Sequence, residues 1–141
     1  MIPLRIAAVL IAALATPLAA QAQDRKAAPE DAYVYIGWPN DGEVVGGRFK
    51  IWFGTRLFGV APAGVAHPEA GHHHLLVDTD LPPLDEPIPN DPNHLHFGGG
   101  QTETYLELPP GRHTLQLLIG DENHVPHDPP VMSRRITITV R

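Results

Sequence analysis

Short segments in which hydrophobic and polar residues alternate recur along most of the chain, and this pattern predicts β-strands. The clearest is residues 48–53, where Phe49, Ile51 and Phe53 share one face. Gly, Pro, Asn and Asp separate the segments, as they do between short strands. The other five segments are residues 33–36, 72–78, 102–108, 112–119 and 135–140. After residue 22, no stretch has the pattern of a capped amphipathic helix.

Six or seven short strands at this spacing, in about a hundred residues, are typical of an all-β sandwich of immunoglobulin type. A small Greek-key β-barrel is the alternative. Pro109-Pro110-Gly111 predicts a tight hairpin between the fourth and fifth segments. Residues 79–93 contain five prolines and several acidic residues, which favours a long ordered loop over one end of the sheet.

The first 22 residues have the features of a secretory signal peptide. Arg5 gives a positive start, residues 6–15 are apolar, and Ala20-Gln21-Ala22 fits an A-x-A cleavage site. The apolar run is too short for a stable membrane span. We therefore expect a periplasmic or secreted protein. Its predicted parts are a signal peptide (1–22), a flexible tether (23–31) and one β-sandwich domain (32–141).

Charge and cysteine content exclude several classes of function. The formal net charge is −6, and it becomes −7 without the leader, whose only charged residue is Arg5. This balance disfavours nucleic acids and anionic membrane surfaces, since both attract cationic patches. The chain has no cysteine, which excludes disulfides and thiolate ligands. Any bound metal must be held by imidazole, carboxylate, thioether or backbone oxygen.

Histidines provide the candidate chemistry. Seven of the nine fall in three short windows, namely His72-His73-His74, His94-Leu95-His96, and the pair His124 and His127. Neutral imidazole is the commonest protein ligand for transition metals. Clusters of this kind, in a chain without cysteine, predict a copper or zinc site.

Alternation along a strand places His72 and His74 on one face and His73 on the opposite face. Because the apolar Leu75 and Val77 follow on the side of His73, we expect that face to be the core. His73 is then predicted to be a buried, neutral, hydrogen-bonded histidine.

The other histidine windows follow the same reasoning. His94 and His96 repeat the spacing of His72 and His74, with Leu95 and Phe97 directed inward. His113 begins the core face of its own segment, so it is expected to be buried and not to be a metal ligand.

In an immunoglobulin-type sandwich, the third and fifth segments are antiparallel neighbours. The start of one then lies beside the end of the other, which brings His72 and His74 close to Asp121 and to the histidines after it. The predicted metal ligands are His72, His74, His94, His96, His124 and His127. Asp121 and Glu103 are the predicted outer partners of the site, or its acid/base groups if it is catalytic.

The glycine run Gly98-Gly99-Gly100 does not predict a phosphate-binding loop. Such a loop needs a helix after it, whereas a strand-like segment follows here. We expect these glycines to permit a bulge or a close backbone approach beside the histidines.

Three functions fit this sequence. The first is a periplasmic copper or zinc carrier or buffer, whose partner is the metal ion. The second is a metalloenzyme with one open coordination position. The third is a metal-free interaction domain in which histidines brace the loops by hydrogen bonding. The lack of a clear catalytic base favours the carrier.

Three long segments resemble the exported bacterial proteins grouped as domain-of-unknown-function family 4399. They are GHHHLLVD (71–78), HLHFGGGQTETYLELPPGRHTLQLLIGD (94–121) and HVPHDPPVMSRRITITV (124–140). The resemblance covers the chain from about Tyr33 to Val140 and implies a small periplasmic β domain with no established activity. The residues that match the family's signature are His72, His73, His74, His94, His96, Gly98 to Gly100, Gln101, Glu103, His113, Asp121, His124 and His127.

Overall fold

A computed structural model describes residues 24–141, so the predicted signal peptide lies outside the described residues. This part of the chain contains nine strands and no helix. The strands are β1 (Tyr33–Trp38), β2 (Val44–Val45), β3 (Arg48–Arg56), β4 (Gly59–Val60), β5 (Ala70–Val77), β6 (His94–His96), β7 (Glu103–Glu107), β8 (Gly111–Gly120) and β9 (Ile136–Val140). Each of the six predicted segments overlaps one of them.

The strands form two sheets. One has the order β1-β3-β7, and the other has the order β2-β9-β8-β5-β4, with β6 also paired to β5. Neither sheet closes into a barrel within residues 24–141, so the prediction of an all-β sandwich is confirmed. The third and fifth predicted segments, β5 and β8, are antiparallel neighbours as expected.

The main core lies between the two sheets and fixes which face of β5 looks inward. Phe53 of β3, Leu75 and Val77 of β5, and Leu115 of β8 belong to one buried cluster. Burial of an aliphatic or aromatic side chain of this size contributes about 1.5–3 kcal/mol. Because a strand alternates its side chains, this core directs His72 and His74 to the opposite, outer face.

The outer face of β5 is also covered. Leu76 of β5 packs there against Leu118 of β8 and Ile88 of the proline-rich segment 79–93. That segment is therefore an ordered loop laid on the outside of the larger sheet. All eight residues of β5 are buried.

The predicted hairpin at Pro109-Pro110-Gly111 is wrong. β7 pairs with β3, whereas β8 pairs with β5 and β9, so this connection carries the chain from one sheet to the other. The backbone amide of Leu108 still donates to the carbonyl of Gly47, which extends the β3 side of the ladder. Gly111 then adopts a φ of 142°, which suits glycine and lets the chain change direction.

The residues predicted as a tether lie against the loop that follows β8. Ala28 donates its amide to the carbonyl of Asp128 at 3.0 Å, and Asp128 donates to Lys26 at 2.8 Å. The Arg25 guanidinium donates to the carbonyl oxygens of Pro126 and His127. In residues 24–141 there is no helix of the length and apolarity that crossing a bilayer requires.

Candidate metal centre

Four imidazole rings meet on the outer face of the larger sheet. They belong to His72 and His74 of β5, His96 of β6, and His124 in the loop after β8, and we call them the histidine cluster. The ring centroid of His124 lies 4.9 Å from that of His72 and 4.8 Å from that of His96. One ring nitrogen from each of His72, His74 and His96 lies within 4.8 Å of the other two.

Strand register produces this convergence. His74 is paired with His96 across β5 and β6, and His72 is paired with Gly120 across β5 and β8. Paired residues on neighbouring strands project to the same face, with Cβ atoms about 4.5–5.5 Å apart. The chain leaves β8 at Gly120, directly opposite His72, so the loop that carries His124 returns over the two β5 rings.

Two glycines provide the space that the rings occupy. A Cβ on Gly120 would lie 3.0 Å from Cα of His124 and 3.1 Å from Nε2 of His74. A Cβ on Gly98 would lie 2.4 Å from Cε1 of His96. The expectation that the glycine run allows a close backbone approach beside a histidine is therefore met at Gly98.

Asp121 shapes the loop that carries His124. Its carboxylate oxygen Oδ1 accepts the backbone amides of Asn123 at 2.8 Å and Val125 at 2.9 Å. Its carbonyl accepts the amide of His124 at 2.9 Å. His124 has a φ of 71°, a left-handed conformation that costs of order 1–3 kcal/mol for a non-glycine residue. Asp121 thus acts on the backbone of His124, and its contacts are not with the imidazole ring.

The surroundings of His72, His74 and His96 favour their neutral form. His72 and His74 have no solvent exposure. Burial, together with repulsion from the neighbouring imidazoles, lowers the pKa of His72 to about 4 and that of His74 to about 2. Burial and repulsion from His124 also lower the pKa of His96. Neutral rings keep the lone pair that a metal ligand needs.

Among residues 24–141, several ring nitrogens in the cluster have no hydrogen-bond partner. These are Nδ1 of His72, Nδ1 of His74 and Nε2 of His96. The Nε2 atoms of His72 and His74 face each other at 3.0 Å. Each buried polar atom without a partner costs about 1–3 kcal/mol. Nitrogens at Zn–N distances of about 2.0–2.1 Å around a tetrahedral ion are about 3.3 Å apart, which is close to the spacing of the His72 and His74 Nε2 atoms.

Besides Asp121, three residues predicted for the site lie outside the histidine cluster. His94 lies at its border, where Nδ1 contacts the Asp91 carboxylate at 2.9 Å. The His127 ring packs edge-on against Phe58, 4.9 Å between centroids. Glu103 is on β7 in the other sheet, where its carboxylate pairs with Lys50 at 2.8 Å. The structure therefore brings together four of the six predicted ligands and places Glu103 elsewhere.

His73 faces the core, as predicted. Its ring lies 5.1 Å from that of Phe53, and burial lowers its pKa to about 4. The backbone of Gln101 opposes this shift in part, but neither ring nitrogen has a partner that satisfies hydrogen-bond geometry. The predicted burial of His73 is observed, whereas its predicted hydrogen bonding is limited to the effect of the Gln101 backbone on its pKa.

His113 is buried outside the histidine cluster, and both of its ring nitrogens are hydrogen-bonded. Its Nδ1 donates to the Asp78 carboxylate at 2.6 Å, and its Nε2 donates to the carbonyl of Pro109 at 2.8 Å. Burial opposes a charge on this ring, but the hydrogen bonds to Asp78 and Pro109 raise its pKa above the ordinary value. Because both nitrogens donate, the ring is an imidazolium that joins the ends of two strands.

Fold and site together define a class, an all-β sandwich with a partly buried histidine cluster on the outer face of one sheet. The chain belongs to the family described as Domain of unknown function (DUF4399), whose model matches residues 51–141. The match begins within β3, later than the resemblance from Tyr33 onward, and it includes all four cluster histidines. No curated protein and no solved structure matches the chain.

Proposed function

We propose that this protein binds one divalent transition-metal ion, copper or zinc, through His72, His74, His96 and His124. We further propose that it is an exported carrier or buffer of that ion. One observation carries the proposal: four imidazoles, two buried and two half-buried, contact one another, and three of them have a ring nitrogen without a partner among the described residues.

The donor set suits these metals. Imidazole nitrogen is a good ligand for zinc and copper, which lie at or near the top of the affinity order of divalent first-row metals. The side chain of Met132 borders the apolar cluster around Leu76, and its sulfur contacts Gln116 at 3.9 Å. A thioether therefore takes no part in the proposed site, which favours copper(II) over copper(I) if the metal is copper.

The number of ligands supports binding over catalysis. Four protein ligands close a tetrahedral site, whereas catalytic zinc sites keep one position for water or substrate. The carboxylates predicted as acid/base groups do not serve the cluster. Glu103 pairs with Lys50 in the other sheet, and Oδ1 of Asp121 accepts two loop amides. These contacts support a carrier or buffer over a metalloenzyme.

Metal titration of the untagged chain tests this function. After treatment with a chelator, the protein is titrated with Cu²⁺ and with Zn²⁺ against a competing indicator, and bound metal is measured by mass spectrometry. We expect one ion per chain. Replacement of any cluster histidine by alanine should weaken binding by more than the roughly 10- to 100-fold that loss of an outer partner costs.

A matched control is available in His67. This histidine is exposed, and its Nδ1 accepts the backbone amide of Glu69 at 3.1 Å in the loop before β5. His67→Ala should leave metal affinity unchanged. Absence of stoichiometric metal in the parent chain, or an equal loss in His67→Ala and the cluster variants, would contradict the proposed function.

A further inference from the structure

The four cluster histidines differ in how firmly the backbone holds them. His72, His74 and His96 lie on paired strands of the larger sheet. His124 lies in a loop, with a φ of 71° that a non-glycine residue adopts only under constraint. The position of its ring in the cluster therefore depends on whatever fixes that loop.

The proline-rich segment provides one such constraint through Ile88. The backbone amide of Ile88 donates to the carbonyl of His124 at 2.9 Å. The Ile88 side chain is only 4% exposed and packs against Leu76 and Leu118. Leu118 is the β8 partner of His74, so Ile88 is anchored directly beside the cluster.

The residues on either side of Ile88 make this contact stiff. Pro87 and Pro89 flank it, and each proline fixes its own φ near −65°. The residue before a proline is held in an extended conformation, which applies to Ile88 itself. Pro87-Ile88-Pro89 is thus a short rigid segment. It connects the apolar contacts of the Ile88 side chain to the backbone carbonyl of His124.

From these contacts we infer that Ile88 is a positioning residue for His124 and that it sets the rate at which the bound metal is released. This role rests on the proposed metal binding. Without the Ile88 anchor, the loop can relax from its left-handed conformation, and the His124 ring leaves the other three. The metal then loses one ligand and exchanges faster.

Release kinetics and a coordination-sensitive spectrum test this inference. The Zn²⁺-loaded chain is mixed with excess chelator to measure release, and the Co²⁺-loaded chain gives a visible spectrum that distinguishes four-coordinate from higher-coordinate metal. We expect Ile88→Ala to release Zn²⁺ roughly tenfold faster or more, because a local opening has become easier. The Co²⁺ absorption should fall as water replaces His124.

Two further variants separate positioning from general loss of structure. Ile88→Val, which removes one methyl group, should give an intermediate release rate even if Ile88→Ala folds poorly. Leu81→Ala alters an exposed leucine of the same segment that lies in neither buried cluster, and it should behave as the parent chain.

A double-mutant comparison shows whether Ile88 acts through His124. In a His124→Ala background, Ile88→Val should cause no further acceleration of release, whereas an independent structural effect would add to that of His124→Ala. Unchanged release rates and Co²⁺ spectra in Ile88→Val and Ile88→Ala, or full additivity with His124→Ala, would overturn the inference. Failure of the parent chain to bind Zn²⁺, Co²⁺ and Cu²⁺ would instead overturn the proposed function.

Discussion

Two buried histidine sites on the larger sheet differ in the partners of their imidazole rings and in the direction of their pKa shifts. His113 of β8 has an acceptor for each nitrogen, the Asp78 carboxylate and the Pro109 carbonyl, and its pKa is raised. His72 and His74 of β5 meet other imidazoles, and their pKa values are lowered. Burial lowers the pKa of all three rings, and only His113 has hydrogen-bond acceptors that outweigh this effect.

This difference separates a structural histidine from a candidate ligand. A ring whose two nitrogens donate to oxygen atoms has no lone pair to offer. Neutral rings that meet mainly one another keep lone pairs that a shared cation could bind, and among the described residues His72 and His74 have only their mutual Nε2 contact. Buried nitrogens without partners do not by themselves identify a candidate ligand. His73 and His127 both have such nitrogens, but each packs alone against a phenylalanine ring. Convergence is therefore the feature that identifies the cluster.

The largest effect we expect is stabilisation of the fold by metal. At a free Zn²⁺ concentration of about 1,000 times Kd, binding to the folded state alone adds about 4 kcal/mol to the free energy of unfolding. In a chain of this size, that corresponds to a rise in Tm of about 10 °C or more, measurable by calorimetry. A Tm that does not respond to Zn²⁺ or Cu²⁺ would show that the cluster holds neither.

The next prediction compares the two sites by the same substitution, histidine to glutamine. The variant in one site should change metal affinity, and the variant in the other should change the stability of the apo protein. His96→Gln should lower metal affinity by about 100-fold or more, since it removes a ligand, and should change the apo stability little. His113→Gln should leave metal affinity unchanged but destabilise the apo protein by about 1–3 kcal/mol, because it breaks a charge-assisted hydrogen bond. Competition titration and urea unfolding measure the two quantities. Equal effects of both variants on affinity would remove the distinction between the sites.

A smaller effect is expected from Gly98→Ala. The new Cβ would lie 2.4 Å from Cε1 of the His96 ring, so the ring must shift from its present position. We expect metal affinity to fall about tenfold, since ligand geometry changes while the ligand itself remains. Gly46→Ala is the control, because no atom lies within 4 Å of its Cβ position. Equal affinities for the two alanine variants would show that the close approach of Gly98 does not matter for binding.

The smallest effect concerns pH and the His113 site. Since the folded-state pKa of His113 is raised above the unfolded value of about 6.5, its stabilisation is complete below pH 6.5. It is lost as the pH rises through the folded-state pKa. The difference in unfolding free energy between the parent chain and His113→Gln, measured with chelator present, should therefore be larger at pH 5.5 than at pH 9. A difference that grows with pH would contradict the assignment of an imidazolium.

Much of the fold follows from local sequence patterns. The six alternating segments correspond to β1, β3, β5, β7, β8 and β9. β2 and β4 have two residues each and show no alternation, because they form only through their partners β9 and β5. The Pro-Pro-Gly sequence indicates a change of direction but not which sheet receives the next strand, so the predicted hairpin was wrong.

The candidate site was predictable where it depends on strand geometry. Alternation places His72 and His74 on one face, and antiparallel pairing of β5 with β8 brings the loop after Gly120 to them. The loop itself was not predictable. A bridge between Gly120 and Pro126 reverses the chain, so His124 joins the cluster while His127 packs on Phe58. The contact between Ile88 and His124 joins residues far apart in sequence, and no local pattern indicates it.

X-ray absorption spectroscopy of the metal-loaded, untagged chain tests the central claim most directly, because it counts and identifies the atoms bound to the metal. We expect one Zn²⁺ or Cu²⁺ per chain with nitrogen ligands at about 2.0–2.1 Å and the scattering pattern of four imidazoles. A shell dominated by oxygen, or one with fewer than three imidazoles, would show that the four rings converge for a reason other than metal binding.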